Sequence, residues 1–375
     1  MIRGTGEMAE EPREDDQKPA TEKAQLALSA RLPVRKIVLW TLTIVLGYFV
    51  VRGSWSTLAE NKFTGDQWES FIVAGLSTGS LYALIALGYT LVYGILFIIN
   101  FAHGEVFMAG AFTSFFVARD LSESGFLNNN PILGILICIA VAGATSTTVA
   151  VLLERMAYRP LRGAPRLVPL ITAIGASLFL QYTFRGLFGP GSQGYPNVEA
   201  LDGDVNLLGV AVGKAELLSF IGAVVLMSAL YYFVNRTKAG RAMRAVGEDR
   251  EIASLMGIDV DRTIVTTFAI GGMLAGAAGV LWALNFGQVS FQMGFLPGIK
   301  AFTAAVLGGI GNIAGAALGG IVIGVLEAVA PPLLLAGAEV KSLFQLKDVI
   351  AFSILVLVLI FRPGGLLGSS EPEKV

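Results

Sequence analysis

The sequence predicts an all-α fold, a polytopic integral membrane helix bundle of about eight to ten membrane elements with glycine-rich close packing. Three observations favour this fold class. Of the 375 residues, 54% are hydrophobic and only 15% are charged, whereas soluble domains carry about 25% charged residues. Apolar stretches recur along the chain, and most are long enough to cross about 30 Å of hydrocarbon as a helix. The 45 glycines suit a membrane bundle, where small residues let helix backbones approach closely.

The predicted elements begin after a polar amino-terminal region. Residues 1–33 mix acidic and basic side chains with few large apolar ones, so we expect a disordered cytoplasmic tail. The segment 34–70 would hold an extra transmembrane helix over 34–51, followed by an external linker. The segment 71–363 would form the main transmembrane domain, and 364–375 would form a cytoplasmic carboxy-terminal tail.

Nine further apolar stretches follow the first. They cover 71–99, 104–119, 132–153, 168–188, 217–234, 264–286, 296–310, 313–335 and 347–361. The stretch 71–99 would make about 43 Å of helix, so we expect it to be either strongly tilted or broken near Gly88 or Gly94. The stretch 296–310 is short for a full crossing, which is typical of a re-entrant segment.

Loop charges predict the orientation of these helices, because short cytoplasmic loops carry an excess of lysine and arginine. The 154–167 loop holds four arginines and the 235–263 loop holds six basic residues, whereas the 189–216 loop holds only Lys214 against four acidic residues. We therefore predict that the first two loops are cytoplasmic, that the third is external, and that both termini are cytoplasmic.

Composition also argues against several kinds of site. A net charge of −1 gives no reason to expect a nucleic-acid partner. The single cysteine, Cys138, and the single histidine, His103, exclude a metal cluster built from such residues by this chain alone. The run Gly309–Ala314 has the G-x-G-x-x-A spacing of dinucleotide sites, but its apolar flanks favour a cytoplasmic glycine-rich turn. We predict no metal, no cofactor and no catalytic residue.

Polar and small residues inside the apolar stretches are candidates for a substrate path. They are Gly75, Ser77, Thr78, Gly79, Ser80, Asn100, His103 and Glu105. Gly75 and Gly79 also follow the G-x-x-x-G rule, so helix packing is the alternative explanation for the first group. For Asn100–Glu105, the alternative is a short interfacial or helix-breaking segment whose polar groups cap two helix ends.

Two ionisable residues, Lys300 and Glu327, lie within predicted spans. An ionisable group at the bilayer centre costs at least about 2.5 kcal/mol, so such groups usually pair or line a wet path. We favour a structural pair that fixes helix register over contact with a substrate.

The 235–263 loop contains the signature of a short amphipathic helix with charged flanks. The residues involved are Arg241, Arg244, Glu248, Asp249, Arg250, Glu251, Ile252, Leu255, Met256 and Gly257. Ile252, Leu255 and Met256 fall at i, i+3 and i+4 and form one apolar stripe, and Gly257 suits a left-handed helix end. The polar face mixes both signs of charge, which favours docking on a soluble partner over lying in the membrane interface.

Several motifs then occur in a characteristic order. They are Gly75–Gly94 (GLSTGSLYALIALGYTLVYG), Ile99–Glu105 (INFAHGE), Glu154-Arg155, Tyr158–Pro160, Thr172–Gly175, Arg241–Gly257, Lys300–Gly311 and Asp348–Phe361. Together they resemble the Liv-type branched-chain amino-acid permeases. The resemblance runs from about residue 70 to about residue 370 and leaves the charged tail and the 34–51 span outside it.

The resemblance implies that 71–363 is the permease domain of an ABC importer in the bacterial inner membrane. It implies a second homologous permease subunit, two cytoplasmic ATPases that hydrolyse ATP, an extracytoplasmic solute-binding protein, and an amino-acid substrate such as leucine, isoleucine or valine. The helix at 248–256 would then be the segment that couples to the ATPases. Urea or short amides are the alternative solutes within the family.

Outside that family, the alternative is a stand-alone transporter driven by an ion gradient, for which Glu105 and Glu327 would be the intramembrane acids. A membrane-embedded enzyme would need a nucleophile–base pair or a metal cluster, which one histidine and one cysteine do not favour.

Overall fold

A computed structural model describes residues 34–165, 167–207, 209–338, 340, 343–362 and 364–368. Within these residues the chain forms thirteen α-helices: α1 Val34–Ala59, α2 Gly65–Leu96, α3 His103–Glu123, α4 Phe126–Asn129, α5 Pro131–Leu153, α6 Leu167–Phe188, α7 Lys214–Arg236, α8 Lys238–Glu248, α9 Arg250–Leu255, α10 Val260–Phe286, α11 Phe295–Gly308, α12 Ile313–Leu335 and α13 Lys347–Phe361. Seven helical segments of the described chain are long and apolar enough to span a bilayer. The predicted all-α membrane bundle is confirmed. The predicted tail 1–33 and most of 364–375 lie outside the described residues.

Helix α2 is the longest helix among the described residues and runs through the centre of the bundle. A capping box between Thr64 and Gln67 starts it, and Phe97, with φ of 55°, ends it. The helix continues without a break through Gly88 and Gly94, so of the two alternatives for this stretch, a tilted helix or a broken one, the break is wrong. The absence of a side chain at Gly88 leaves space for the ring of His103, which lies where a Cβ would be.

Glycines let α2 and α12 pack backbone to backbone. A Cβ at Gly75 would lie 2.8 Å from the Val325 Cα, and a Cβ at Gly79 would lie 2.9 Å from the Gly320 carbonyl oxygen. Such contacts are closer than real Cβ atoms tolerate, so these positions require glycine at this helix separation. The predicted close packing through the G-x-x-x-G motif of α2 is present.

Helices α3 and α11 both begin inside the bundle. Residues 97–102 return from the end of α2 without forming a helix, and α3 starts at His103. Gly104 at its first turn meets Gly298 of α11, whose Cα would lie 3.1 Å from a Cβ at Gly104. Helix α11 has 14 residues and a length of about 21 Å, so it is too short to cross the hydrocarbon core alone.

The two ends of the bundle carry different loops. At one end, Arg159 and Arg162 both bind Asp261, so the two arginine-rich loops meet there; we refer to it as the cytoplasmic end. At the opposite end, short strands β1 Gln193–Gly194 and β4 Gln288–Val289 pair antiparallel, and β2 Asp204–Leu207 pairs with β3 Val210–Gly213. The sequence analysis did not predict this small amount of sheet.

Helix α1 packs on the outer end of α12, where Gly53 lies against the backbone of Leu334. It extends through Arg52 to Ala59, and α2 starts at Gly65. The segment between them is therefore 60–64, shorter than the linker expected between 51 and 71. The predicted helix ended at residue 51 because the apolar stretch ends there. The observed helix continues through the polar turn that follows, to Ala59.

Candidate functional site

Helix α9 exposes apolar side chains at the cytoplasmic end. The Asp249 carboxylate accepts a hydrogen bond of 2.9 Å from the Ile252 backbone N–H and so caps the helix, and Gly257 follows with φ of 80°. Ile252, Leu255 and Met256 are 59%, 86% and 78% exposed; we call these three residues the docking patch. Apolar side chains presented together in this way mark an interaction surface.

The described helix is shorter than the predicted one. Glu248 is the last residue of α8 and not the first residue of the amphipathic helix, because the backbone turns at Asp249 to begin α9. Arg241 and Arg244 also belong to α8, a helix that the sequence analysis missed. Thr237 caps it by accepting a hydrogen bond of 3.0 Å from the Gly240 N–H, and this Thr-x-x-Gly pattern is a weak signal by itself.

Helices α8 and α9 pack against the cytoplasmic end of the membrane bundle. Met243, Val246 and Ala253 are buried, so one side of the helix pair packs on the bundle while the docking patch faces away. Arg250 donates a hydrogen bond of 2.7 Å to the backbone carbonyl of Ile95, near the end of α2. Burial, and to a smaller extent the nearby Arg162, lower the pKa of Arg250, which still keeps its charge near neutral pH because arginine does not deprotonate in proteins.

A cluster of charges lies inside the bundle around Lys300. Its ammonium group donates a hydrogen bond of 2.8 Å to Glu327 and also pairs with Asp348. Lys347 lies 3.4 Å from the same Glu327 oxygen, and the Tyr82 hydroxyl donates a 2.9 Å hydrogen bond to the other one. The structure thus brings together Lys300 and Glu327, as expected.

Three members of this cluster, Tyr82, Lys347 and Asp348, were not predicted from the sequence. Lys347 and Asp348 lie at the start of the last predicted span, so their charges were interpreted only as the boundary of that span. Tyr82 lies in the GLSTGSLY motif, and its distance of 245 residues from Glu327 in sequence gives no sign of the contact.

A cavity of about 520 Å³ lies beside the charged cluster, between α2, α10, α11, α12 and α13. Its lining includes Phe71, Thr78, Tyr82, Trp282, Phe286, Gln288, Gln292, Met293, Leu296, Lys300, Glu327, Phe344, Lys347 and Asp348. The volume falls in the range of about 300–1,000 Å³ that is typical of small-molecule sites. Its position next to β4 places it towards the external end.

Of the first predicted group of path residues, only Thr78 lines this cavity. Gly75 and Gly79 are used in packing against α12. The Ser77 hydroxyl donates to the Glu216 carbonyl at 3.3 Å, and the buried Ser80 hydroxyl donates to the Ser77 carbonyl at 2.7 Å. The first bond links α2 to α7 and the second lies within α2, so both hydroxyls donate to partners within the protein.

The second predicted group lies deep in the bundle. Asn100, His103 and Glu105 are all buried, so the alternative of an interfacial position is wrong, whereas the alternative of a helix break at this segment is present. Tyr158 donates a hydrogen bond of 2.7 Å to Asn100, and Ser177 donates one of 3.3 Å to Glu105. Neither helix end is capped by these side chains, because they bond to α6 and to the turn after α5.

Comparison with known proteins identifies the family. The family model described as branched-chain amino acid transport system, permease component, matches residues 71–359. The chain belongs to this family. This permease match begins within α2 and leaves α1 outside it.

Several permease proteins are similar to this chain over almost their whole length. The high-affinity branched-chain amino acid transport system permease protein BraD of Pseudomonas aeruginosa is 44% identical over 81% of this chain and 97% of its own length. The permease proteins LivH of Salmonella typhimurium and Escherichia coli are 42% and 41% identical over 80% of this chain and 96% of their own lengths. No solved structure is significantly similar to the chain.

Proposed function

We propose that this chain is the membrane-spanning permease subunit of an ABC importer that carries leucine, isoleucine, valine or related amino acids across the bacterial inner membrane. The family match over residues 71–359 carries this conclusion. Relatives named as branched-chain amino acid permeases align over nearly their full length, and the seven spanning segments suit a multi-pass protein.

The chain would act with separate subunits that supply energy and substrate. Two cytoplasmic ATPases would hydrolyse ATP, a second homologous permease would complete the pathway, and an external solute-binding protein would deliver the amino acid. The docking patch supports an ATPase contact, because its three apolar side chains are exposed at the cytoplasmic end. Around it, Arg241, Glu248 and Glu251 are exposed charges suited to the rim of such an interface.

A physical route leads from the docking patch to the cavity. Arg250 ties α9 to the end of α2 through the Ile95 carbonyl. Helix α2 packs through Gly75 and Gly79 against α12, which carries Glu327. Because close backbone packing transmits displacement, movement of α9 by the ATPases would shift the walls of the cavity.

Reconstitution tests this function. The chain would be inserted in vesicles with its partner permease, ATPases and binding protein, and uptake of radiolabelled L-leucine would be measured with and without ATP. We expect uptake that requires ATP and stops when the ATPases carry a substitution in their nucleotide site. Leucine uptake by this chain alone, without nucleotide and driven by an ion gradient, would contradict the proposal. Uptake of urea but not leucine would contradict its substrate.

A further inference from the structure

The cavity beside Lys300 has a charged end and an apolar wall. The charged end is formed by Lys300, Glu327, Lys347 and Asp348, and the wall by aromatic and aliphatic side chains, including Phe71, Trp282, Phe286, Met293, Leu296 and Phe344. Trp282 and Phe286 lie against each other with ring centroids 4.3 Å apart and present a broad apolar surface. A solute that fills this space must therefore be charged at one end and apolar at the other.

The charges at the charged end balance, since two lysines face two acids. Lys300 is nearly enclosed, with 4% of its side chain exposed, and it contacts both acids. Lys347 has 45% of its side chain exposed and reaches only Glu327, at 3.4 Å. Lys347 is therefore the loosely held member, and it can leave Glu327 for another anion without uncovering a buried charge.

We propose, on the basis of the transport function proposed above, that this cavity binds a free zwitterionic α-amino acid with an apolar side chain. The carboxylate of the solute would bind Lys347. Its ammonium group would bind Glu327 in the place that Lys347 leaves, with Asp348 nearby. The apolar side chain would lie against Trp282 and Phe286, so this subunit itself recognises the solute.

Charge balance selects a zwitterion over other solutes. A zwitterion adds no net charge, and each of its charged groups meets an opposite charge of the protein. A carboxylic acid without an amine would add an uncompensated negative charge to a poorly hydrated site, which is strongly unfavourable. A neutral amide has no carboxylate for Lys347 and no ammonium group for Glu327, so urea and short amides gain neither ion pair and fit the site less well.

Lys347 allows a test that does not depend on unfolding. In a Lys347→Met variant, Lys300 keeps both of its acidic partners, so no buried cation is left unpaired. Lys214→Met is the matched control, because it removes a lysine at the start of α7, at the external end, and Lys214 is not part of the cavity lining.

The test measures protection of a cavity residue from a thiol reagent. Gln292, an exposed residue of the lining, is replaced by cysteine, and the native Cys138 is buried, so a charged methanethiosulfonate reagent would react at position 292. The assembled importer is used without nucleotide and without its binding protein. We expect L-leucine to slow modification. We expect the half-protecting leucine concentration to rise about tenfold in Lys347→Met, the effect of losing a hydrogen bond to a charged group, and to stay unchanged in Lys214→Met.

Three results would overturn the site: no protection by leucine when Lys347 is intact, equal protection in Lys347→Met and the intact cavity, or equal protection by 4-methylpentanoate, which lacks the amine. ATP-driven leucine uptake by the same importer with its binding protein separates this failure from a failure of the transport function. Uptake without protection rejects the site alone, whereas absence of uptake rejects the transport function as well.

Discussion

Two regions of this molecule hold side chains in surroundings that do not match their polarity. One exposes apolar groups to water, and the other buries charged groups in the bundle. At the cytoplasmic end, α9 and the residue that follows it expose Ile252, Leu255 and Met256 to water. Inside the bundle, Lys300 and Glu327 are charged groups that are almost completely buried. Either arrangement alone would destabilise the protein, the first through exposed apolar area and the second through lost hydration.

The two regions differ in how this unfavourable free energy is offset. The buried charges are offset within the chain, because Lys300 and Glu327 each have two oppositely charged partners and Tyr82 bonds the remaining Glu327 oxygen. The docking patch has no such cover among the described residues, so we expect its cover to come from another protein. A self-contained cluster predicts effects on stability, and an uncovered patch predicts effects on assembly.

The largest effect is expected when the buried cluster loses one charge. Lys300→Met or Glu327→Gln leaves the opposite charge buried with a single remaining partner, and such losses cost about 3–5 kcal/mol. We expect each single variant to show a clearly lower unfolding temperature in detergent than the unmodified protein. The double variant removes both charges, so its loss should be smaller than the sum of the single losses.

Additive losses in that double-mutant cycle would contradict energetic coupling between Lys300 and Glu327. Within the same cluster, Lys347→Met should leave the unfolding temperature nearly unchanged, because the Lys347 side chain is 45% exposed and surface pairs contribute about 0–1 kcal/mol.

A smaller effect, confined to assembly, is expected at the docking patch. Leu255→Asp places a charge in the centre of the proposed ATPase interface, where loss of a central contact costs about 2 kcal/mol or more. We expect the variant to insert and unfold as the unmodified protein does, but to retain about thirtyfold less ATPase in co-purification. Ser254→Asp is the control, because Ser254 is exposed on the same helix but lies outside the apolar stripe. Equal ATPase retention by the two variants would contradict the coupling assignment.

The sequence predicted these two regions unequally well. The apolar stripe of α9 is a local pattern, so Ile252, Leu255 and Met256 could be identified without a structure. The Lys300–Glu327 contact was expected because lone charges in apolar spans seek partners. The rest of that cluster depends on how distant helices pack, and neither Tyr82 nor Asp348 carries a local signal of its neighbours.

The same distinction explains the errors in the fold. One of the two alternatives for the stretch 71–99 was a break in α2 at a glycine, because glycines weaken isolated helices. In the bundle, Gly88 and Gly94 both lie within an unbroken helix, and Gly88 accommodates the His103 ring. The burial of Asn100–Glu105 could not be predicted for a related reason: Tyr158 and Ser177, which donate hydrogen bonds to Asn100 and Glu105, are far away in sequence.

The smallest expected effect concerns Arg250, which joins the two regions. Its hydrogen bond to the Ile95 carbonyl is the direct polar link from α9 to the end of α2. Arg250→Met removes the link without touching the docking patch, and a half-buried hydrogen bond from a charged donor contributes about 1–2 kcal/mol. We therefore expect ATPase binding to persist while leucine transported per ATP hydrolysed falls several-fold.

Arg250→Lys is the matched comparison, because lysine keeps the charge and a donor that can reach a carbonyl. If the link transmits movement, Arg250→Lys should recover part of the transport lost in Arg250→Met at equal ATPase occupancy. If both variants lose ATPase binding instead, Arg250 belongs to the docking surface and α9 has a different connection to α2. Normal transport per ATP in Arg250→Met would show that the docking patch drives the bundle through the buried side of α8 and α9, where Met243, Val246 and Ala253 make apolar contact.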